Sequence, residues 1–262
     1  MPDSKYCYPN TNILINKLNI QNSEDLFNAE KELTLIRLQE LQLNPIQGNF
    51  NFQHLKEIHQ YIFQDVYDWA GEVRTVEIGK GNLFCTTACI NSYAESVFAN
   101  FHSQCIANKD SFDDFIKVFS DNYGNLNALH PFREGNGRTQ REFARLVCLD
   151  CGYAFDLSCT THSKMLEASV LSFDKADSSL FCEIFRQAII PLGEYNLRDD
   201  IVRILTSDDL TINDEENYYD YYSCDEDAIV EKYNEIYKEK SLELSQTNNK
   251  SINNYSHDDI EL

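Results

Sequence analysis

Basic residues are scarce in this chain: 22 Lys and Arg stand against 43 Asp and Glu among 262 residues, a formal charge of −21 at pH 7. That deficit argues against general attraction to nucleic acid or to an anionic membrane surface, so any phosphate the protein holds must be held locally. Long apolar runs are missing as well. No stretch of about 18 apolar residues occurs, and no basic segment followed by an apolar one opens the chain, which excludes an evident transmembrane helix or signal peptide. A soluble protein of the cytoplasm, or one delivered into a host cytosol, is the expectation. The cysteines lack the regular spacing of a secreted disulfide framework: nine of them, an odd number, are scattered from Cys7 to Cys224. The pairs Cys85/Cys89 and Cys148/Cys151 have metal-like spacing, but the second lies in an apolar helical run where buried thiols are common. No internal repeat of solenoid length is present.

What is present is enough apolar material for one substantial core, 42% hydrophobic and 12% aromatic. Met1 to Asn22 carries Pro9 and many Asn and reads as loop, with at most a short helix around Ile13 to Leu18. Ser23 is the expected N-cap of a helix whose apolar positions are Leu26, Ala29, Leu33 and Ile36. After breakers at Asn44-Pro45 and Gly48-Asn49, Phe52, Leu55, Ile58, His59, Ile62, Phe63 and Val66 repeat at helical spacing. Val73, Thr75, Val76 and Ile78 favour extended chain, and Gly79-Lys80-Gly81-Asn82 supplies a turn, making one hairpin. Ile90 to Ile106 is helical again. Phe112, Phe115, Ile116, Phe119, Tyr123 and Leu126 continue the pattern behind Asp110, a possible cap. A helix ending before Gly152 and two shorter ones, about Ser163 to Phe173 and Ser178 to Ile190, complete a core that is nearly all α. From Pro191 the composition shifts: Asp199 to Leu262 holds 18 acidic and 5 basic residues, a net of −13. Its tyrosines could still support one helix, and Gln246 onward, rich in Asn and Ser, reads as disordered.

The chemistry concentrates between His130 and Arg141. A helix ending near Leu129, a loop, and a new helix from about Gly137 make an anion site, because backbone N–H groups of Gly135, Asn136 and Gly137 can aim at a phosphate beside a helix N-terminus. Arg138 and Arg141, three apart, offer planar forks for phosphate oxygens. Glu134 is a hard oxygen ligand suited to a Mg²⁺ that bridges phosphates. His130 is the natural general base, and Phe132 would anchor the loop in the core. Phosphoryl or nucleotidyl transfer to a hydroxyl suits this set; the spacing does not say which phosphorus is attacked. Alone before a helix, a histidine is usually an ordinary one. His54, His59, His102 and His162 keep that reading, the first three at helical positions without partners.

The run His130-Pro131-Phe132-Arg133-Glu134-Gly135-Asn136-Gly137-Arg138-Thr139-Gln140-Arg141 resembles the Fic family signature, His-x-Phe-x-(Asp/Glu)-Gly-Asn-Gly-Arg-x-x-Arg, at every defined position. The similarity extends over about Tyr6 to Ile190. It implies an all-α fold, a Fic-type helical core with one β-hairpin flap before the motif. The domain plan it suggests is residues 1–22 as an N-terminal loop segment, 23–190 as the catalytic core and 191–262 as an acidic, partly disordered extension. It further implies transfer of AMP from ATP to a Ser, Thr or Tyr hydroxyl of a target protein. In that scheme His130 is the base, Glu134 the Mg²⁺ ligand, and Gly135, Asn136 and Gly137 hold the α- and β-phosphates. Arg138 and Arg141 take the outer phosphates, and a hairpin around Val73 to Phe84, with Ile78 and Lys80, aligns the target.

Many Fic enzymes are restrained by a Ser/Thr-x-x-x-Glu-Gly/Asn helix whose glutamate pairs with the second motif arginine, here Arg141. Ser163/Glu167, Ser179/Glu183 and Thr211/Glu215 have the spacing without the following Gly or Asn, Thr211/Glu215 coming nearest. The resemblance then points to a toxin-like form inhibited by a separate small antitoxin, or to an unrestrained effector. Other readings are a Fic-fold phosphotransferase or phosphocholine transferase, removal of AMP, and a regulatory binding module. The intact Gly135-Asn136-Gly137 favours AMP transfer.

Overall fold

A computed structural model describes residues 5–80 and 82–194. Helices dominate because the apolar spacing is helical almost throughout. Helix α1 (Ser23–Leu43) begins at its expected cap: Asn22, one residue earlier, is the N-cap, its side chain accepting from the N–H groups of Glu24 and Asp25. Its buried face departs from the expected one. Ile36 is 49% exposed, whereas Thr34 is fully buried, because part of this face meets a charged partner described below. Helix α2 (Phe52–Phe63) keeps the expected face, burying Leu55, Ile58, His59, Ile62 and Phe63.

Helices α3 (Ile90–Asn108) and α4 (Phe112–Leu129) pack side by side. Ser111, not Asp110, caps α4, accepting from Asp114 N. Helix α5 (Asn136–Asp150) runs through the middle of the molecule and is buried on nearly every face from Arg138 to Leu149. The ring of Phe143 touches Phe50, His54, Phe98 and Phe101. Helices α6 (His162–Lys175) and α7 (Ser179–Ala188) close the core, α7 burying Phe181 and Phe185 against Phe119 and Tyr123 of α4.

Two antiparallel ribbons accompany the helices. Strands β1 (Gly79–Lys80) and β2 (Asn82–Leu83) pair as Gly79↔Leu83 and Lys80↔Asn82. The ladder is far shorter than the extended stretch, whose remaining backbone is pinned elsewhere. The second ribbon was not foreseen: β3 (Tyr153–Phe155) pairs with β4 (Ile189–Pro191), which takes the place of the last helical turn expected to reach Ile190. Ile190 precedes Pro191, and a residue before proline is steered out of helical backbone. This ribbon also crosses the expected boundary at residue 190.

The N-terminal segment contains no helix near Ile13 to Leu18. Cys7 bridges to Leu14, the Asn16 side chain ties Leu14 O to the N–H and carbonyl of Ile20, and Lys17 N donates to Val66 O. Side-chain hydrogen bonding by an asparagine competes with helix formation here. No described helix is long and apolar enough to cross a membrane. The expected acidic extension lies, after Glu194, outside the described residues.

Candidate active site

The site forms where α4 stops and α5 starts. His130 is the C-cap of α4 at φ 39°, ψ 61°, a left-handed conformation strained for a non-glycine residue. Its Nδ1 lies 2.9 Å from Asn127 O. A carbonyl can only accept, so Nδ1 carries a proton, which in the neutral imidazole leaves on Nε2 the lone pair that a base needs. Phe84, just past β2, stacks on the imidazole with ring centroids 3.7 Å apart and planes 8° from parallel. The ring is therefore held at one end by a carbonyl and over one face by an aromatic.

From His130 the chain passes through Pro131 and the fully buried Phe132. Asn136 closes the loop on itself. Its Oδ1 accepts from Phe132 N at 2.9 Å and its Nδ2 donates to Phe132 O at 2.8 Å, so this side chain shapes the loop. Gly135 is the N-cap of α5 at φ 79°, and a Cβ there would lie 2.1 Å from Phe63 Cζ. Glycine is required twice over, by conformation and by space. With no side chain capping α5, its first N–H groups are left to the mouth of the site, where the helix dipole favours an anion.

Glu134 is exposed, and its Oε1 accepts from Gly135 N at 2.9 Å. A single exposed carboxylate is a donor that fits Mg²⁺, which is commonly held by one or two carboxylates together with substrate phosphates.

The two motif arginines part company. Arg141 lies across the start of α5: a Cβ on Gly137 would sit 3.1 Å from its Nη1. Arg138 points inward. Its Nη2 pairs with Glu30 Oε1, its Nη1 donates to Thr34 Oγ1 at 3.0 Å, and its guanidinium lies 4.5 Å from the centroid of Phe63. Glu30 also accepts from the Tyr67 hydroxyl, and burial beside that carboxylate pushes the phenol well above its ordinary range. Arg138 is thus first of all the anchor of α1.

Three supporting residues escaped sequence reading. His59 was expected to lack partners; instead its Nε2 donates to Glu134 O at 3.0 Å, its Nδ1 accepts from Gly71 N at 2.8 Å, and its ring stacks 3.8 Å from Phe132. Burial lowers its pKa to about 3, so the ring is neutral. His54 and His102 also have partners, Ile46 O and Asp150. Glu30 sat in no recognised pattern, although an acid one helical turn from Leu26 and from Thr34 on a core-facing stripe is itself a signal that a buried cation waits opposite. Arg74 is the third, with its side chain wholly buried and burial lowering its pKa.

Ile78 lies at the foot of the β1–β2 hairpin, its carbonyl accepting from Phe84 N at 3.1 Å, and Lys80 is the last residue of β1. Of the glutamates weighed as inhibitors, Glu167 and Glu183 line a 180 Å³ groove between α6 and α7 with Cys159, Thr160 and Lys164. Thr211 and Glu215 lie outside the described residues.

Residues 49–148 match the model of the Fic/DOC family. A probable protein adenylyltransferase of Sinorhizobium fredii is 36% identical over 182 residues, 69% of this chain and 93% of that protein. A probable protein adenylyltransferase Fic of Salmonella typhimurium is 31% identical over 185 residues, 70% of this chain and 91% of the relative. The protein adenylyltransferase VbhT of Bartonella schoenbuchensis is 36% identical over 70% of this chain, which spans only 38% of that longer protein. Among solved structures, the Bartonella tribocorum effector BepC with bound AMPPNP superposes with a TM-score of 0.66 at 22% identity, covering 72% of this chain and 97% of its own. On the sequence relatives together with the intact motif, the chain belongs to the Fic/DOC family.

Proposed function

We propose that the protein is a protein adenylyltransferase that moves AMP from ATP to a hydroxyl of a target protein. The observation that carries the reading is the pairing of a fixed base with an anion cradle. The Nδ1–H of His130 is committed to Asn127 O, its Nε2 is an acceptor, and the uncapped N-terminus of α5 opens beside it.

In the reaction, His130 Nε2 takes the proton of the target hydroxyl as the oxygen attacks the α-phosphorus of ATP. The bond from that phosphorus to the bridging oxygen breaks, and pyrophosphate leaves. Backbone N–H groups at Asn136 and Gly137 receive the α- and β-phosphates, joined by that of Gly135 once it turns from Glu134 Oε1, and Arg141 receives the outer ones. Arg138, with Nη1 on Thr34 and Nη2 on Glu30, serves first to fix α1 to the start of α5. Glu134 would hold Mg²⁺, which supplies charge neutralisation along the phosphates. The hairpin carrying Ile78 and Lys80 presents the target segment. An inhibitory glutamate, from a small antitoxin or from Glu215 of the chain itself, would act on Arg141. The relatives named as protein adenylyltransferases support the reaction class.

The test is incubation with Mg²⁺, cell lysate and ATP labelled at the α- or the γ-phosphate, alongside His130→Ala. Label from the α-phosphate alone, lost in the variant, is expected. Transfer of the γ-label to protein would make the enzyme a phosphotransferase and overturn the proposal.

A further inference from the structure

Arg74 carries the one arginine side chain that is 0% exposed among the described ion pairs, and it faces main-chain carbonyls. Nε donates to His130 O at 2.9 Å, Nη1 to Val76 O at 2.9 Å, and Nη2 to Cys85 O, with Glu77 Oε2 3.5 Å from Nη1. These acceptors belong to three segments: the catalytic loop, the leg that climbs into the β1–β2 hairpin, and the leg that descends from it. Backbone bonds run in parallel, from Arg74 N to Pro131 O at 2.9 Å and from Cys85 N to Ala128 O at 3.1 Å. Glu77 closes the neck of the hairpin by accepting from the N–H and hydroxyl of Thr87.

The carbonyl held by Nε belongs to a strained residue. His130 combines φ 39° with a following proline, whereas residues before proline are steered to extended backbone. Such a conformation persists only where surrounding contacts over-determine it. The planar, five-donor guanidinium is the side chain able to meet three carbonyls in one plane; an ammonium of equal charge has neither the shape nor the span.

We infer that Arg74 is a positioning residue for the transfer reaction: it fastens both legs of the hairpin to the backbone of His130, so that the base and the segment presenting the target share one anchor. The inference rests on the AMP-transfer reading for its effect on rate, though not for the coupling itself. The phosphate cradle begins five residues past His130 and touches none of these bonds, so nucleotide binding is left out of the coupling.

Arg74→Lys and Arg74→Gln are compared with the unaltered protein for labelling of lysate proteins from α-labelled ATP and for AMPPNP affinity by calorimetry. Labelling is expected to fall about tenfold to a hundredfold in both, with AMPPNP affinity unchanged within about twofold. Recovery of the full rate by lysine, or parallel loss of rate and nucleotide affinity, would overturn the inference, since either marks a merely electrostatic or structural role. Hydrogen exchange of the unaltered protein decides the matter if neither variant folds. The amides of Arg74, Cys85 and Phe132 should open as one unit; independent opening of the hairpin amides would sink the coupling. If the unaltered protein transfers no label, the AMP reading fails by itself, and the exchange result still rules on Arg74.

Discussion

Arg138 and Arg141 are alike in the motif and unlike in space, which makes them the sharpest test at the scale of single residues. In the proposed scheme, removing Arg141 takes away a charge-assisted phosphate contact. Arg141→Ala should weaken ATP binding by about 2 kcal/mol, roughly thirtyfold. Arg138→Ala strands the carboxylate of Glu30, whose side chain is 13% exposed. A loss of about 3 kcal/mol of stability is expected, seen as a fall in melting temperature of roughly 6–12 °C. Calorimetry and thermal denaturation of both variants check this; an equal effect of the two substitutions on ATP affinity would refute the division. The motif residues themselves were legible because their chemistry is contiguous in the chain. Glu30 was not, since it meets Arg138 across 108 positions, and a long-range ion pair leaves no periodic trace in either segment. His59 and Arg74 were hidden because both act on main-chain groups, which every residue possesses.

At the scale of elements, α2 is the scaffold of the catalytic loop through His59. The imidazole has a pKa of about 3 in the folded protein, against about 6.5 in an unfolded chain. Below pH 6.5 the unfolded chain takes up a proton that the folded one refuses. Stability from this group is therefore complete above pH 6.5 and declines as pH falls toward 3, by up to about 1.4 kcal/mol per unit. His59→Gln, which has no such titration, should cost stability at pH 7, and that cost should shrink by about 2 kcal/mol at pH 5. Urea midpoints of the two proteins at both pH values measure it, and a cost independent of pH would dismiss the linkage. Helices α2 and α4 were readable because each buries one continuous apolar face. Helix α1 was misread in detail because its inner face is partly polar, Glu30 and Thr34 serving Arg138. The caps slipped by one residue at both Asn22 and Ser111, where two adjacent residues could each supply the capping oxygen and the chain's entry angle decides between them. The β3–β4 ribbon was invisible because Tyr153–Phe155 is too short for a period, and its partner lies at the end of a helical pattern.

For the whole molecule, the charge of −21 sets the background against which the local cradle works. Self-repulsion of that size weakens the compact state and is screened by salt. Raising NaCl from about 10 to about 150 mM shortens the Debye length from roughly 30 to 8 Å, so the melting temperature should rise. Scanning calorimetry across that range tests it, and a fall would mean that exposed ion pairs outweigh repulsion. Composition made this balance legible, but it could not say where the chain returns after its last helix. Leu192 N donates to Gly152 O at 3.1 Å, which puts that return at the end of α5 remote from Gly135. A helix of 15 residues is about 22 Å long, and a fully extended chain covers about 3.3 Å per residue. The β3–β4 ribbon thereby acts as a mooring post. Whatever follows Glu194 is tethered about 22 Å from the nucleotide mouth and needs about seven residues of slack to come back to it. An inhibitory glutamate supplied from further along the chain would need at least that much linker before it could meet the mouth.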